Sequence, residues 1–463
     1  MPTTTPRAGT TKKSKRGAAK GASKSSRSRV DTTRASSGPA WRRYLRALGP
    51  GLVTGASDDD PSGIATYSQA GASFGFGLLW TSLLTLPLMS AVQEMCDRTA
   101  LATGTGLGEL TVKHFSRGWR RVLAVLLGAL IIANALNIAA DLVAVGSGMN
   151  LLGLGPSSIW ALVGGAAVTG LVMTGSFEMI ARVFKILCLA LLAYLAVLVL
   201  AHPSWTQIAA HTFVPHITFS GAYFGLLVAV LGTTISPYLF FWQSAHRIEE
   251  LRDEPQGGNQ AVALKTLDSR AARMKERTSR MDVFTGMAFS NIVMFAVIIA
   301  GAQLATHGTT DIGSAAEAAR ALEPVAGDYA KLLFALGFIG SGMLAIPVLA
   351  GSGAVGMAGL LGKQWGFSRS VRKAPVFYSL VAAGTLGGTL LSALHVNPIR
   401  LLVIVAMING LAAAPFLIVI LIVANDRKLM GKYANGRAAN TLVGFTIVLM
   451  TLAAIVLVAT GGS

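Results

Sequence analysis

The chain has 463 residues, of which 52% are hydrophobic and only 13% charged, and its mean hydropathy is +0.58. A water-soluble domain carries about a quarter charged residues, so this chain cannot cover a water-facing surface. The formal charge of +18 is concentrated at one end, where residues 1–46 hold 13 Lys/Arg, from Arg7 to Arg46, against the single acid Asp31.

That first segment, rich in Ser, Thr, Gly and Ala, has almost no apolar content and is expected to be disordered. The basic stretch is too long for a secretory signal, and the apolar segment after it is a full span. Its reading is a cytoplasmic tail lying on anionic lipid head groups. Nucleic-acid binding is the alternative and is not expected.

After the tail come eleven apolar blocks, each close to the roughly 20 residues that cross a bilayer. They cover about 47–73, 76–101, 120–150, 157–176, 181–201, 221–246, 283–305, 329–361, 375–394, 399–424 and 438–460. The chain therefore predicts an all-α polytopic membrane protein with 11 transmembrane helices, a domain at 47–463 following the tail at 1–46. Basic residues fall on alternate connections: Lys113 to Arg121, Arg182/Lys185, Arg247 to Arg280, Lys363 to Lys373 and Arg427 to Arg437. The opposite loops hold few, with only His202, His211 and His216 in 201–220. This asymmetry places the N-terminus in the cytoplasm and the C-terminus outside, in a cell (inner) membrane. The charge-rich segment 247–281 reads as a solvated cytoplasmic connector.

Two spans read as broken. The first contains Gly-Ala-Ser-Asp-Asp-Asp-Pro-Ser-Gly at 55–63, and the sixth Gly-Thr-Thr-Ile-Ser-Pro-Tyr at 232–238. Proline removes a backbone donor and clashes with the preceding turn, and freed backbone groups are tolerable in a membrane only where they line a cavity. Breaks in spans one and six suit a 5+5 inverted repeat, 47–201 and 221–424, with 438–460 as an additional helix. Ordinary proline kinks are the simpler alternative, but three consecutive aspartates do not belong in one.

An intramembrane carboxylate marks function by default. Asp60, just before Pro61, is the leading cation ligand; Asp58 and Asp59 point elsewhere, to attract cations at a mouth or bond to freed backbone amides. Across the second break, Thr233 and Ser236 offer hydroxyls and Tyr238 a phenol, with carbonyls near Ser57 and Thr233 in support. All are oxygen donors, which suit Mg²⁺, Ca²⁺ and Mn²⁺. Asn134, Asn137 and Asp141 form one polar stripe in span three, facing either a water path or a neighbouring helix. Glu94 and Arg98 read as a local ion pair, and Asn409 in span ten could reach the same cavity. Cys96 and Cys188 sit in apolar stretches as core residues, and the methionines as packing. No nucleotide-binding loop, nucleophile–base pair or zinc spacing appears, so neither enzymatic activity nor a resident cofactor is expected.

From about Gly49 to the last helix, these motifs resemble the natural resistance-associated macrophage protein (Nramp) metal transporters. Asp60-Pro61 with Gln69 to Ala72, Phe74-Gly75 and Leu79-Trp80 is similar to the family's first-helix signature. Gln93, Arg98, Thr103-Gly104 and Glu109 match its second helix, Ala140 to Leu142 with Gly146-Ser147 its third, and Asp426 to Gly431 its connector between helices ten and eleven. The resemblance implies a leucine-transporter-type fold with a cation site between broken helices 1 and 6.

The departures refine it. Where the family has Asp-Pro-Gly-Asn, this chain has Asp60-Pro61-Ser62-Gly63, with Gly63 in place of the amide ligand; for Met-Pro-His it has Ser236-Pro237-Tyr238. Loss of the thioether removes the preference for transition metals, and a roomier oxygen site suits a partly hydrated Mg²⁺. The family's two sixth-helix histidines are Tyr238 and Gln243 here, its third-helix glutamate is Ala144, and span nine lacks the usual arginine. This pattern resembles the Nramp-related magnesium transporters. It implies import of Mg²⁺, and of Mn²⁺, without obligatory proton movement. A proton-coupled Mn²⁺/Fe²⁺ symporter, an organic-solute (amino-acid-like) carrier and a non-transporting receptor are the alternatives. The expected partners are a divalent metal ion and the lipid membrane.

Overall fold

A computed structural model describes residues 49–174, 204–254, 257–258, 260–306, 311–312, 314–320, 327–393 and 398–459, with isolated residues between 179 and 195. The basic tail, most of the fifth span and Cys188 lie outside the described residues. Every regular element among the described residues is helical. In chain order these are α1 Pro50–Asp58, α2 Pro61–Phe74, α3 Trp80–Thr103, α4 Leu107–His114, α5 Arg117–Leu151, α6 Ser157–Thr174, α7 Trp205–Phe213, α8 Gly221–Thr234 and α9 Pro237–Asp253. Then follow α10 Ser269–Thr306, α11 Ala315–Arg320, α12 Ala330–Leu360, α13 Pro375–Ser392, α14 Pro398–Asn425, α15 Arg427–Met430 and α16 Arg437–Ala459. Among the described residues, eight helical stretches are long and apolar enough to cross a membrane, with α8 and α9 counted as one. The α1–α2 pair and α3 complete all the expected spans but the fifth.

The outward faces carry large apolar side chains, among them Val125, Ile132, Leu390 and Val458. In water such a surface would be a liability; against lipid tails it is what the chain needs. The inward faces are built for close approach. The α1–α2 pair lies along α10, α8 along α14, and α5 along α12. At the first of these crossings a Cβ on Gly286 would fall on the Gly51 carbonyl, and one on Gly55 on the Gly286 backbone. Small residues give such backbone-to-backbone contact in membranes. Gly286→Val is expected to destabilise the fold by about 3 kcal/mol or more, read as a lowered melting temperature in detergent.

The connections gather at two ends. At the basic end, Arg98 donates to the Tyr433 carbonyl (2.8 Å), His114 pairs with Asp426 (2.7 Å) and Arg252 reaches the Trp365 carbonyl (3.2 Å). At the other end Tyr223 donates to the His216 carbonyl (3.0 Å), and Phe76 meets the ring of His211.

Segment 247–281 is not simply a solvated connector. Helix α9 continues to Asp253 and α10 begins at Ser269, and Arg247, Glu249 and Ser279 are buried. The charges there pair with one another, so a charge-rich stretch does not amount to a solvated face. Arg247 bonds Asp97 (2.7 Å), Asp282 (3.2 Å) and Glu250, while Asp97 also accepts from Gln243 (2.7 Å) and Ser279. Asp282 in turn accepts the amides of Gly49 (2.8 Å), Gly51 (2.9 Å) and Leu52 (3.3 Å), which caps the amino end of α1.

Candidate functional site

Both breaks are built in the same way. Helix α1 ends at Asp58, Asp59 leaves helical geometry (φ −90°, ψ 49°), Asp60 is extended (φ −66°, ψ 170°), and Pro61 opens α2. Helix α8 ends at Thr234, Ile235 leaves it (φ −120°, ψ 57°), Ser236 is extended (φ −79°, ψ 133°), and Pro237 opens α9. The residue before a proline is pushed out of the helical region, and proline is at ease in the first helical position. Each X-Pro pair therefore ends one half-helix and starts the next.

Asp60 stands at the centre. As the N-cap of α2, its Oδ1 accepts from the Gly63 amide (2.8 Å) and the Ser62 hydroxyl (2.5 Å). Its Oδ2 accepts from Asn137 Nδ2 on α5 (3.0 Å) and the Tyr238 phenol on α9 (3.3 Å), and that phenol also donates to the Ser57 carbonyl (3.0 Å). One carboxylate thus joins both breaks and the third span.

The other expected ligands sort into three groups. Thr233 Oγ1, Asn137 Oδ1, both oxygens of Asp141 and both amide atoms of Asn409 are buried and, among the described residues, have no hydrogen-bond partner. Thr233 lies against the first turn of α2, where a Cβ on Gly63 would come within 3.1 Å of its hydroxyl. Asn409 adjoins Gly410, which packs on Gly232 beside the second break. Ser57 and Ser236 use their hydroxyls locally: Ser57 donates to the Val53 carbonyl (2.7 Å), and Ser236 to those of Gly232 (2.7 Å) and Thr233 (2.8 Å). A helix end leaves carbonyls unsatisfied, and a short hydroxyl two residues on is the nearest donor. Gly63 supplies its amide to Asp60 and, lacking a side chain, leaves room beside Thr233.

Asp58 and Asp59 are fully buried, not at a mouth, and meet a hydroxyl instead of freed amides. Ser290 on α10 donates to Asp58 (2.8 Å) and lies 3.3 Å from Asp59. The sequence reading missed Ser290, since nothing near it in the chain signals a partner more than 230 positions away. The stripe on α5 is divided. Asn137 serves the site, whereas Asn134 ties α5 to α12 through the Leu349 carbonyl (2.8 Å) and Ser352 (3.1 Å). Asn134→Ala is expected to cost about 1 kcal/mol of stability and leave half-saturation by the carried ion unchanged; Asn137→Ala should shift half-saturation. Melting curves and uptake titrations on both variants check this. Glu94 and Arg98 form the expected i,i+4 ion pair (3.0 Å), and Cys96 is buried.

Chemically, the site offers the Asp60 carboxylate among hydroxyl, carboxamide and carbonyl groups, with Asp58, Asp59 and Asp141 buried in the same interior. Among the described residues no three His, Cys, Asp or Glu side chains form a metal cage. Such a set can hold a cation in passage.

Two half-helix breaks facing one another across a bundle define a fold of the leucine-transporter type. Residues 51–460 match the family described as natural resistance-associated macrophage protein-like, and the chain belongs to that family. Among curated relatives, the divalent metal cation transporter MntH of Acidiphilium cryptum is 29% identical over 429 residues, covering 90% of this chain and 91% of that one. The protein of the same name from Verminephrobacter eiseniae is 28% identical, with 84% of each chain covered. Among solved structures, the Eremococcus coleocola manganese transporter superimposes with a TM-score of 0.69 at 18% identity, over 90% of this chain and 86% of that one.

Proposed function

We propose that this protein is a divalent metal cation transporter that carries Mg²⁺ inward, with Mn²⁺ as a second substrate, down the membrane potential and without obligatory proton movement. Divalent-cation transport follows from the family and from relatives named for it. The finer reading rests on one observation: the side chains that touch Asp60, which joins both breaks, are the Ser62 hydroxyl, the Asn137 carboxamide and the Tyr238 phenol, with no thioether or imidazole among them. Hard ions prefer that set, and Mg²⁺ is bound through one or two carboxylates while keeping waters. A potential of 100 mV gives about 2.3 kcal/mol per charge, enough to draw a divalent ion inward with no proton. Gln243 is held between Thr54 and Asp97, where a proton-carrying imidazole would otherwise stand in the family pattern. The one imidazole of α9, His246, packs on Trp242 instead. The protein sits in the cell membrane with its N-terminus cytoplasmic, and it transports rather than catalyses.

A second reading, a proton-coupled Mn²⁺/Fe²⁺ symporter, draws on Asp141, whose two oxygens are buried near the site without partners among the described residues. One experiment separates them. Proteoliposomes holding a Mg²⁺ indicator and a pH dye are given a negative-inside potential. Mg²⁺ influx without acidification is the expected result. Acidification that accompanies the metal favours the symporter, and vesicles that admit Mn²⁺ but no Mg²⁺ rule out the hard-ion reading.

A further inference from the structure

At the basic end two adjoining cavities, of about 890 and 420 Å³, share Arg252, Arg369 and Lys373 in their walls. Three segments far apart in the chain meet there. Helix α4 brings Lys113, the end of α9 brings Arg252, and the α12–α13 connection brings Lys363, Arg369 and Lys373. Five cationic side chains thus line the larger cavity. Its one acid, Glu109, has its carboxylate bonded to the Trp365 indole (2.7 Å).

Basic residues at the cytoplasmic ends of membrane helices are ordinary, and a flat scatter of them would carry no inference. Here they surround a concave space, and one is held rigid. The Arg252 side chain is only 11% exposed; its guanidinium lies 4.5 Å over the Trp365 ring, and its Nη1 donates to the Trp365 carbonyl (3.2 Å) and lies 3.7 Å from the buried Glu249 carboxylate, which leaves the rest of the fork to a ligand. A planar fork fixed in this way is prepared for phosphate oxygens, which guanidinium groups bind bidentately. Gly258 and Gly362, both at positive φ (117° and 64°), bring bare backbone to the walls, and Ser368 and Ser370 join the smaller cavity.

We propose that this cavity is a binding site for an anion bearing several phosphate groups, the chemistry shared by a nucleotide's phosphate tail and a multiply charged phospholipid head group. Lys113, Lys363 and Lys373 alone bring more positive charge to the cavity than one phosphate would meet, and the volume falls in the range of small-molecule sites. The site is separate from the ion path: Arg252 lies about 21 Å along α9 from Tyr238. It holds whichever cation is carried.

The test is calorimetric titration of the full chain in detergent with tripolyphosphate, for wild type and for Lys113→Gln/Lys373→Gln. Both lysines are exposed and neither touches Asp60, so the double variant should melt as wild type does. Saturable binding that weakens with salt, and falls at least about tenfold in the variant, is expected. The basic tail is common to both proteins and cancels from the comparison. Repeating the titration in nanodiscs of phosphatidylcholine, with and without cardiolipin, identifies the source. Weaker tripolyphosphate binding with cardiolipin assigns the site to a lipid head group, and unchanged binding to a soluble phosphate. No binding by wild type, or equal binding by the variant, overturns the proposal.

Discussion

Asp60→Ala is expected to lower Mg²⁺ influx into proteoliposomes by at least about a hundredfold, to the leak of empty vesicles. The carboxylate touches both helix breaks, and four donors converge on it from α2, α5 and α9. A divalent ion leaving water needs at least one anionic ligand to offset the loss of hydration, and the hydroxyls and carbonyls around Asp60 supply none. The same side chain caps α2, so alanine also removes a cap worth about 1 kcal/mol. Asp60→Asn separates the two effects. Asparagine caps a helix as well as aspartate does, so this variant should melt close to wild type and still fail to transport. Undiminished influx in Asp60→Asn would remove the carboxylate from the ion path.

Arg247→Ala should cost about 3–5 kcal/mol of stability, the usual penalty for stripping the partner from buried charges. Arg247 faces Asp97, Glu250 and Asp282, and the Asp97 and Asp282 side chains are 1% and 2% exposed. Without the guanidinium, the buried Asp97 and Asp282 carboxylates would be left with little water to screen them, while Glu250, whose side chain is 39% exposed, could turn to solvent. Arg247→Lys is expected to recover only part of the loss, because a single ammonium cannot span the positions that the fork reaches. Thermal melts in detergent read the effect; a midpoint within about a degree of wild type for the alanine variant would refute it.

These two residues also mark how far the sequence carries. Asp60 is legible because it breaks a local rule: an aspartate next to proline, inside an apolar run, has few structural reasons to be there. The eleven-block pattern, the paired breaks and the polar stripe on α5 are legible for the same reason, being local in the chain. Arg247 is not. It opens a stretch of mixed charge that reads as solvated, and its partners Asp97 and Asp282 lie 150 and 35 positions away. Only folding shows that these charges meet in the interior. The site follows the same division. Which residues bear oxygen is plain from the sequence, but whether a hydroxyl turns to the site or, like those of Ser57 and Ser236, back onto a carbonyl of its own turn is a matter of backbone geometry, and that Ser290 holds Asp58 and Asp59 depends on a contact across helices.

The cap on α1 has a mechanical consequence. Asp282 gathers the amides of Gly49, Gly51 and Leu52, at and just before the start of that helix, onto one carboxylate, itself anchored to α9 through Arg247. A small tilt of α1 would stretch all three bonds at once, and apolar surroundings offer the freed amides no acceptor in exchange. The amino end of α1 therefore behaves as a catch that is either seated or sprung, with few stable positions between. That end of α1 is thus pinned through a single carboxylate, and Asp282→Asn would loosen it.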